Sequence, residues 1–115
     1  MDGRVPQTIW NWSDVGHTQD AKRELLSTID FSTSDDVFVT PKPSKLIERV
    51  LQLATDSDSI VLDSFAGSGT TAHAVLSANS KDTGDRKFIL VECEEYADTL
   101  TAERVRRVIN GYEYE

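Results

Sequence analysis

The chain has few of the residues on which several classes of site depend. With one cysteine, Cys93, it forms no internal disulfide, and with two histidines it has too few ligands for a structural zinc site. No apolar run approaches the ~18 residues of a membrane helix, and residues 1–6 have no apolar secretory core. These absences favour a small domain of the cytoplasm without a membrane segment.

Basic residues are also scarce. Twelve Lys and Arg against twenty Asp and Glu give a net charge of −8 and a pI near 4.6. Tight binding to bare nucleic acid depends on clustered Lys and Arg that contact phosphates, so this charge argues against it. Any contact with DNA is expected to come from basic surface elsewhere in a larger protein.

The second half of the chain alternates short apolar runs with helical patterns. Residues 60–62 and 88–91 are continuous apolar runs, typical of strands that are buried on both faces. Apolar spacing predicts helices over about 18–26, from 44, over 70–79 and over 96–110. Thr18 and Ser44 are expected as N-caps, and Leu26, Val50 and Ile109 among the inward-facing residues. The order strand, glycine loop, helix, strand, helix predicts an α/β fold with a parallel pair and a right-handed crossover.

The first part of the chain carries weaker signals. A short extended segment is expected over residues 7–12, with Trp10 and Trp12 covering the core. Residues 30–37 predict a loop, and residues 38–43 an extended segment because prolines flank Lys42. We therefore divide the chain into a lead-in, residues 1–37, and a βαβα unit, residues 38–115.

Two acids end the two predicted strands, on either side of a glycine loop. Asp63 ends the first strand and Glu92 the second, and residues 67–72 (GSGTTA) match the dinucleotide fingerprint in its final-alanine form. The glycines let a ligand approach backbone N–H groups, and the start of the following helix favours negative charge. An acid that closes the next strand can accept both ribose hydroxyls. Walker-type phosphate binding is excluded, because no Gly-Lys-Ser/Thr follows the loop.

The acids favour S-adenosylmethionine over NAD as the ligand. The ribose of S-adenosylmethionine can donate hydrogen bonds to Glu92, and its carboxylate can accept them from backbone N–H groups. Its positively charged amine and sulfonium are attracted to acids such as Asp63. Two alternatives stay open: a nicotinamide-dinucleotide-binding part of an oxidoreductase, and a non-catalytic interaction module that retains the fold. The first uses the same glycines and Glu92 but leaves the Pro-Lys-Pro segment, residues 41–43, unexplained.

Three segments together resemble the cofactor motifs of the β-class amino-methyltransferases of DNA. Residues 38–43 with Leu46 and Ile47 resemble motif X, residues 61–75 motif I, and residues 88–92 motif II, in the order of this class. The sequences TAHAV, RKFILVE and ERV in these segments and in the last helix most resemble Mod subunits of bacterial type III restriction–modification systems. The resemblance implies part of a Rossmann-like S-adenosylmethionine-dependent methyltransferase fold, with three layers and parallel strands flanked by helices.

The resemblance also implies which residues bind S-adenosyl-L-methionine. The loop from Phe65 to Thr70 would wrap the methionine part, and Asp63 would orient that loop and the amine. Residues 42–43 would form the opposite wall, Glu92 would hold the ribose, and Cys93 would lie near the adenine edge. The implied set is Lys42, Pro43, Asp63, Phe65, Ala66, Gly67, Ser68, Gly69, Thr70, Glu92 and Cys93. No metal ligand is expected.

The family's catalytic motif has no counterpart in this chain. That motif, Asp-Pro-Pro-Tyr or a close variant, polarises the exocyclic amine of a flipped base, and no two of the three prolines here are adjacent. We therefore assign no catalytic residue and expect a carboxyl-side cofactor part of a larger enzyme, inactive alone. The Mod resemblance implies methylation of N6 of adenine, although the residues themselves leave N4 of cytosine open.

The implied partners are DNA, reached through the intact enzyme, and a restriction subunit. In this class the strand that carries the catalytic motif lies beside the strand that ends at Asp63. Without that neighbour one strand edge is bare, so we expect self-association or pairing with the missing half. The remaining residues are expected to be structural: His73 on the helix surface or in packing, Cys93 as a small buried hydrophobe, and residues 103–107 as a solvated helix face.

Overall fold

A computed structural model of the chain describes residues 5–29 and 40–112. The elements in order are α1 (Trp12–Val15), α2 (Thr18–Thr28), α3 (Ser44–Ala54), β1 (Ile60–Asp63), α4 (Thr70–Asp82), β2 (Lys87–Leu90), a π-helix (Ala97–Ala102) and α5 (Glu103–Asn110). The predicted loop at residues 30–37, and residues 38–39 of the predicted extended segment, lie outside the described residues.

The two strands form a small parallel sheet. Ile60 pairs with Lys87 and Asp63 with Leu90, and α4 is the crossover between the strands. The predicted α/β class and the strand–loop–helix–strand–helix order are therefore confirmed.

Two apolar clusters join the helices to each other and to the sheet. The first contains Leu25, Ile29 and Leu100, with Tyr96 against it, and joins α2 to the π-helix. The second joins α3 and α4 to the inner face of the sheet; it contains Leu51, Ala74 and Val75, packed against Ile47, Val61, Ala78 and Phe88. The helix that follows the glycine loop is thus fixed in the core.

The outer face of the sheet is exposed, so the prediction of two strands buried on both faces is wrong for this chain. Side chains alternate between the faces of a strand. Ile60, Leu62 and Ile89, on the outer face, are 68%, 63% and 53% exposed. Continuous apolar strands are typical of sheets covered on both faces, and within the described residues only the inner face is covered.

This outer face is expected to drive association of the chain. Leu62→Lys places a further charge on this face, which already carries Lys87, and should lower the apparent mass in sedimentation equilibrium towards the 12.8 kDa monomer. Added salt should strengthen association of the wild type, because it screens repulsion between chains of net charge −8. Leu53→Lys on α3, where Leu53 is 42% exposed, is the matched control and should leave the mass unchanged. A wild-type chain that stays monomeric at every concentration and salt would contradict this expectation.

Two helix N-termini differ from the prediction. The N-cap of α2 is His17 and not Thr18: its Nδ1 accepts the N–H of Asp20 at 3.2 Å, and the Asp20 carboxylate accepts the N–H of His17 at 3.0 Å. Pro43 and not Ser44 is the N-cap of α3, since the Ser44 hydroxyl donates to Glu24 instead. N-cap preferences did not predict these two ends, because His17 accepts a backbone N–H as Asp or Asn would, and the Ser44 hydroxyl donates to a residue distant in sequence.

Several apolar residues expected to face inward are exposed. Leu26, Val50 and Ile109 are 48%, 41% and 61% exposed, and Trp12 is 68% exposed instead of covering the core. Trp12 also begins α1 where an extended segment was expected. Helical spacing shows where an apolar stripe lies, but not how much of that stripe meets a partner.

Candidate functional site

The carboxyl ends of β1 and β2 lie side by side. The Val91 N–H donates to the Asp63 carbonyl at 2.9 Å, and the Ala66 N–H donates to the Val91 carbonyl at 3.0 Å. The glycine loop, residues 64–69, therefore turns directly beside the end of β2, where Glu92 follows. The two acids and the loop singled out by the sequence are brought to one edge of the sheet.

Glu92 fastens the glycine loop to the end of β2. Its Oε2 accepts the N–H of Gly67 at 2.8 Å, and its Oε1 accepts the N–H groups of Cys93 and Glu94 at 2.9 and 3.1 Å. The N–H groups of Glu94 and Gly67, in that order, lower the pKa of Glu92, and hydrogen bonds from Cys93 and the Tyr96 side chain act in the same direction. The carboxylate is therefore ionised at neutral pH.

Asp63 closes the turn between β1 and α4. Its Oδ1 accepts the N–H of Phe65 at 3.0 Å, and its Oδ2 accepts the hydroxyl of Thr71 at 2.5 Å. A carboxylate that bonds the backbone two residues on is a common turn device. The Phe65 side chain is left 91% exposed beside the loop, while Ala66 is buried.

The loop needs glycine at two positions. Gly67 and Gly69 have φ angles of 52° and 76°, in the left-handed region. A Cβ on Gly69 would lie 3.1 Å from the carbonyl oxygen of Thr101 in the π-helix. The Thr101 hydroxyl also donates to the Gly67 carbonyl at 2.6 Å, so the π-helix supports the loop from behind.

Lys42 and Pro43 reach the loop through the backbone. The Lys42 carbonyl accepts the hydroxyl of Thr70 at 3.1 Å, while the Lys42 side chain is exposed. Pro43 is buried against Gly16, where a Cβ would lie 3.0 Å from the Cβ of Pro43. A groove of about 270 Å³ borders this segment; its lining residues include Trp12, Gly16, Pro43 and Lys45.

Arg104 has a place in the site that the sequence pattern did not reveal. It was expected on a solvated helix face, yet it is fully buried. Its Nη1 donates to the Thr70 hydroxyl at 3.0 Å and to the Ser68 carbonyl at 3.3 Å. Arg104 lies four residues after Leu100 and four before Val108, a spacing that places it on the inward face of the helix. Only its charge favoured the exposed position that was predicted.

His73 lies in the interior beside Arg104. It is 9% exposed, and its Nδ1 is 3.0 Å from Nη2 of Arg104. Burial first, and the charge of Arg104 second, lower the pKa of His73, while Glu24 acts in the opposite direction. The imidazole is therefore neutral at pH 7, and Nδ1 is free to accept from the guanidinium. The prediction of a packing residue is confirmed.

Cys93 is exposed, so the prediction of a small buried hydrophobe is wrong. It lies one residue beyond Glu92, after the end of β2. Within residues 5–29 and 40–112, no group of three His, Cys, Asp or Glu side chains is close enough to hold a metal ion. In the same part of the chain, no helix has both the length and the apolar character to cross a membrane.

Comparison with known proteins shows the family to which the chain belongs. A family profile described as DNA methylase, of the N6/N4 methyltransferase type, matches residues 1–103. The chain belongs to this DNA methylase family. The predicted resemblance to β-class amino-methyltransferases of DNA is therefore confirmed.

Individual members of the family show which kind of methylase the chain resembles. It is 48% identical over 79 residues to the Mod subunit of the type III restriction-modification enzyme StyLTI from Salmonella typhimurium. The matched stretch is 69% of this chain and 12% of that protein. It is 41% identical over 92 residues to the EcoPI Mod subunit of Escherichia phage P1, and the match covers 80% of this chain and 14% of that subunit. It is 41% identical over 86 residues to the type II methyltransferase M.KpnI from Klebsiella pneumoniae, covering 75% and 19%. The matches thus span less than a fifth of these relatives, and the similarity to Mod subunits is confirmed.

Proposed function

We propose that this chain is the S-adenosylmethionine-binding portion of a site-specific DNA methyltransferase that methylates N6 of adenine in a restriction–modification system. The observation that carries the proposal is the hydrogen bond between Glu92 and the Gly67 N–H, at the carboxyl ends of two parallel strands. Ligands of open α/β sheets bind at such an edge. Family membership and the similarity to Mod subunits support the choice of reaction.

The eleven residues assigned from the resemblance would line this edge. Glu92 would hold the ribose, the loop from Phe65 to Thr70 would surround the methionine part, and Cys93 would border the adenine. Residues 42–43 would form the opposite wall, which the Thr70 hydroxyl already ties to the loop. S-adenosylmethionine supplies an electrophilic methyl group, and these residues would orient it for in-line attack by the target amine.

Binding of the ribose would require an exchange at Glu92. A carboxylate has about four acceptor positions, and three N–H groups together with the Tyr96 side chain use them. Tyr96 is the one side chain among these donors, and its ring packs against Leu25, Ile29 and Leu100, so only its hydroxyl would have to leave the carboxylate while the backbone donors stay. A ribose hydroxyl would then take its place.

The charges at this edge favour S-adenosylmethionine over a dinucleotide. Asp63 and Glu92 lie at the strand ends, and Glu94 and Glu95 follow. A sulfonium and an amine are attracted to these acids, whereas the two negative charges of a pyrophosphate are repelled. Arg104, the cation bonded to the loop, is fully buried behind it.

The remainder of the intact enzyme would complete the fold and the reaction. The exposed outer face and the bare edge of β1 would be covered there, in a three-layer Rossmann-like domain of which residues 38–115 form the cofactor-binding βαβα part. The catalytic Asp-Pro-Pro-Tyr motif and the basic surface for DNA would lie in that remainder, with a restriction subunit as a further partner. Residues 1–37 would lead into the domain, and the chain alone would be inactive.

Calorimetric titration of the 115-residue chain with S-adenosylhomocysteine and, separately, with NAD tests the proposal. We expect S-adenosylhomocysteine to bind and NAD to bind more weakly or not at all. Tighter binding of NAD would identify an oxidoreductase part instead. Binding of neither ligand would favour an interaction module that retains the fold.

A further inference from the structure

We infer that Arg104 is a positioning residue that fixes the two walls of the S-adenosylmethionine site, the glycine loop and the Lys42–Pro43 segment, relative to each other. The inference rests on the proposed function. It concerns the contacts of one guanidinium group, which reach the glycine loop on one side and the Pro43–Ser44 segment, through Glu24, on the other.

The first side of the guanidinium faces the glycine loop. Nη1 donates to the carbonyl of Ser68, to its hydroxyl and to the hydroxyl of Thr70, at 3.3, 3.3 and 3.0 Å. Ser68 and Thr70 flank Gly69, whose left-handed conformation forms the loop's last turn. Arg104 therefore fixes the loop at the point where α4 begins.

The second side faces the segment before α3. Nη2 lies 3.4 Å from Oε2 of Glu24, and Glu24 accepts both the N–H of Ser44, at 3.2 Å, and the Ser44 hydroxyl. Ser44 directly follows Pro43, a residue of the proposed opposite wall. The path from Ser68 through Arg104 and Glu24 to Ser44 thus connects the two walls across three separate helices.

Stability alone does not explain a buried arginine at this position. Burial lowers the pKa of Arg104, and its Nε has no hydrogen-bond partner among the described residues. A buried ion pair is often no more stabilising than well-packed apolar side chains of the same volume. What an apolar side chain cannot provide is a planar set of donors that fixes acceptors in two directions.

A lysine keeps the charge but has one compact ammonium group, so it cannot bond the loop and Glu24 in the same geometry. We expect Arg104→Lys to weaken S-adenosylhomocysteine binding about tenfold. Calorimetry measures this at a temperature well below the midpoint of thermal unfolding, where the variant is folded. The amide signals of Gly67 and Gly69 should shift in its ¹⁵N–¹H NMR spectrum.

Arg86→Lys is the matched control. Arg86 is a half-buried residue whose side chain is only 8% exposed. Its Nε and Nη2 bond Thr55 and Asp82 at the amino end of β2, away from the loop. It should lower the unfolding temperature but change affinity by less than about twofold, and leave both glycine signals in place. Equal losses of affinity in the two variants, or wild-type affinity in Arg104→Lys, would overturn the inference.

The NMR comparison separates this inference from the proposed function. If the wild-type chain binds no S-adenosylhomocysteine, the proposed function fails, and unshifted Gly67 and Gly69 signals in Arg104→Lys would overturn the inference independently. If Arg104→Lys does not fold, Glu24→Gln removes the charge that orients Nη2 and keeps a similar shape. It should then weaken binding and shift the same two signals; unchanged affinity and signals would overturn the inference.

Discussion

Glu92→Ala is expected to weaken binding of S-adenosylhomocysteine by about tenfold or more, because it removes the acceptor proposed for the ribose and releases the glycine loop. The N–H groups of Gly67, Cys93 and Glu94 lose their common partner in this variant. The loop would no longer be tied to the end of β2 through Gly67. Isothermal calorimetry of the variant and the wild type measures the ratio of the two affinities.

Glu95→Ala is the matched control for this change. Glu95 is an exposed glutamate three residues farther along, so the variant makes the same change in charge without touching the loop. Its affinity should stay within about twofold of wild type. If Glu92→Ala binds as tightly as Glu95→Ala, the carboxylate does not hold the ligand, and the interaction-module alternative gains support.

Glu24→Ala is expected to lower the free energy of unfolding by about 3 kcal/mol, the lower end of the range for breaking a buried ion pair. The variant leaves the fully buried guanidinium of Arg104 without its counter-charge, and it leaves the N–H and hydroxyl of Ser44 without their acceptor. The lower end applies because 24% of the Glu24 side chain is exposed, so that water partly replaces the lost carboxylate. Urea denaturation followed by circular dichroism measures the change.

Glu103→Ala provides the comparison on the same protein. Glu103 pairs with Arg106 and Arg107, which are 56% and 36% exposed, and exposed ion pairs contribute little to stability. A loss in Glu24→Ala no larger than the loss in Glu103→Ala would show that the buried pair of Arg104 and Glu24 contributes no more to stability than an exposed ion pair.

A double variant separates stability from positioning. Glu24→Leu combined with Arg104→Met replaces the ion pair with apolar side chains and should recover much of the stability lost in Glu24→Ala. Affinity for S-adenosylhomocysteine should remain low, because the path from Ser68 through Arg104 and Glu24 to Ser44 is still missing, although the bond between Thr70 and the Lys42 carbonyl stays. Recovery of both properties would assign a purely structural role to Arg104.

The sequence predicts the features that depend on local chemistry. The glycine loop could be placed because Gly67 and Gly69 adopt backbone conformations that other residues avoid, and the acids because each directly follows a short apolar run. The parallel pairing of β1 and β2 follows from the helix between them.

Features that depend on contacts between distant residues escaped prediction. Arg104 is inside because Glu24, 80 residues earlier, supplies its counter-charge, and no local pattern shows that pairing. Ser44 does not cap α3 because the same glutamate takes its hydroxyl. The exposure of Ile60 and Leu62 depends on what covers the sheet, which apolar content alone does not indicate.

NMR mapping of the bound ligand tests the central claim most directly. In a ¹⁵N–¹H titration of the chain with S-adenosylhomocysteine, the largest shifts should occur at the amides of Gly67, Cys93 and Glu94, the donors to Glu92. The amides around Thr55 and Arg86, at the opposite end of the sheet, should not move. Shifts concentrated in the groove around Trp12 and Gly16, with Gly67 and Cys93 unchanged, would contradict a site at the strand ends.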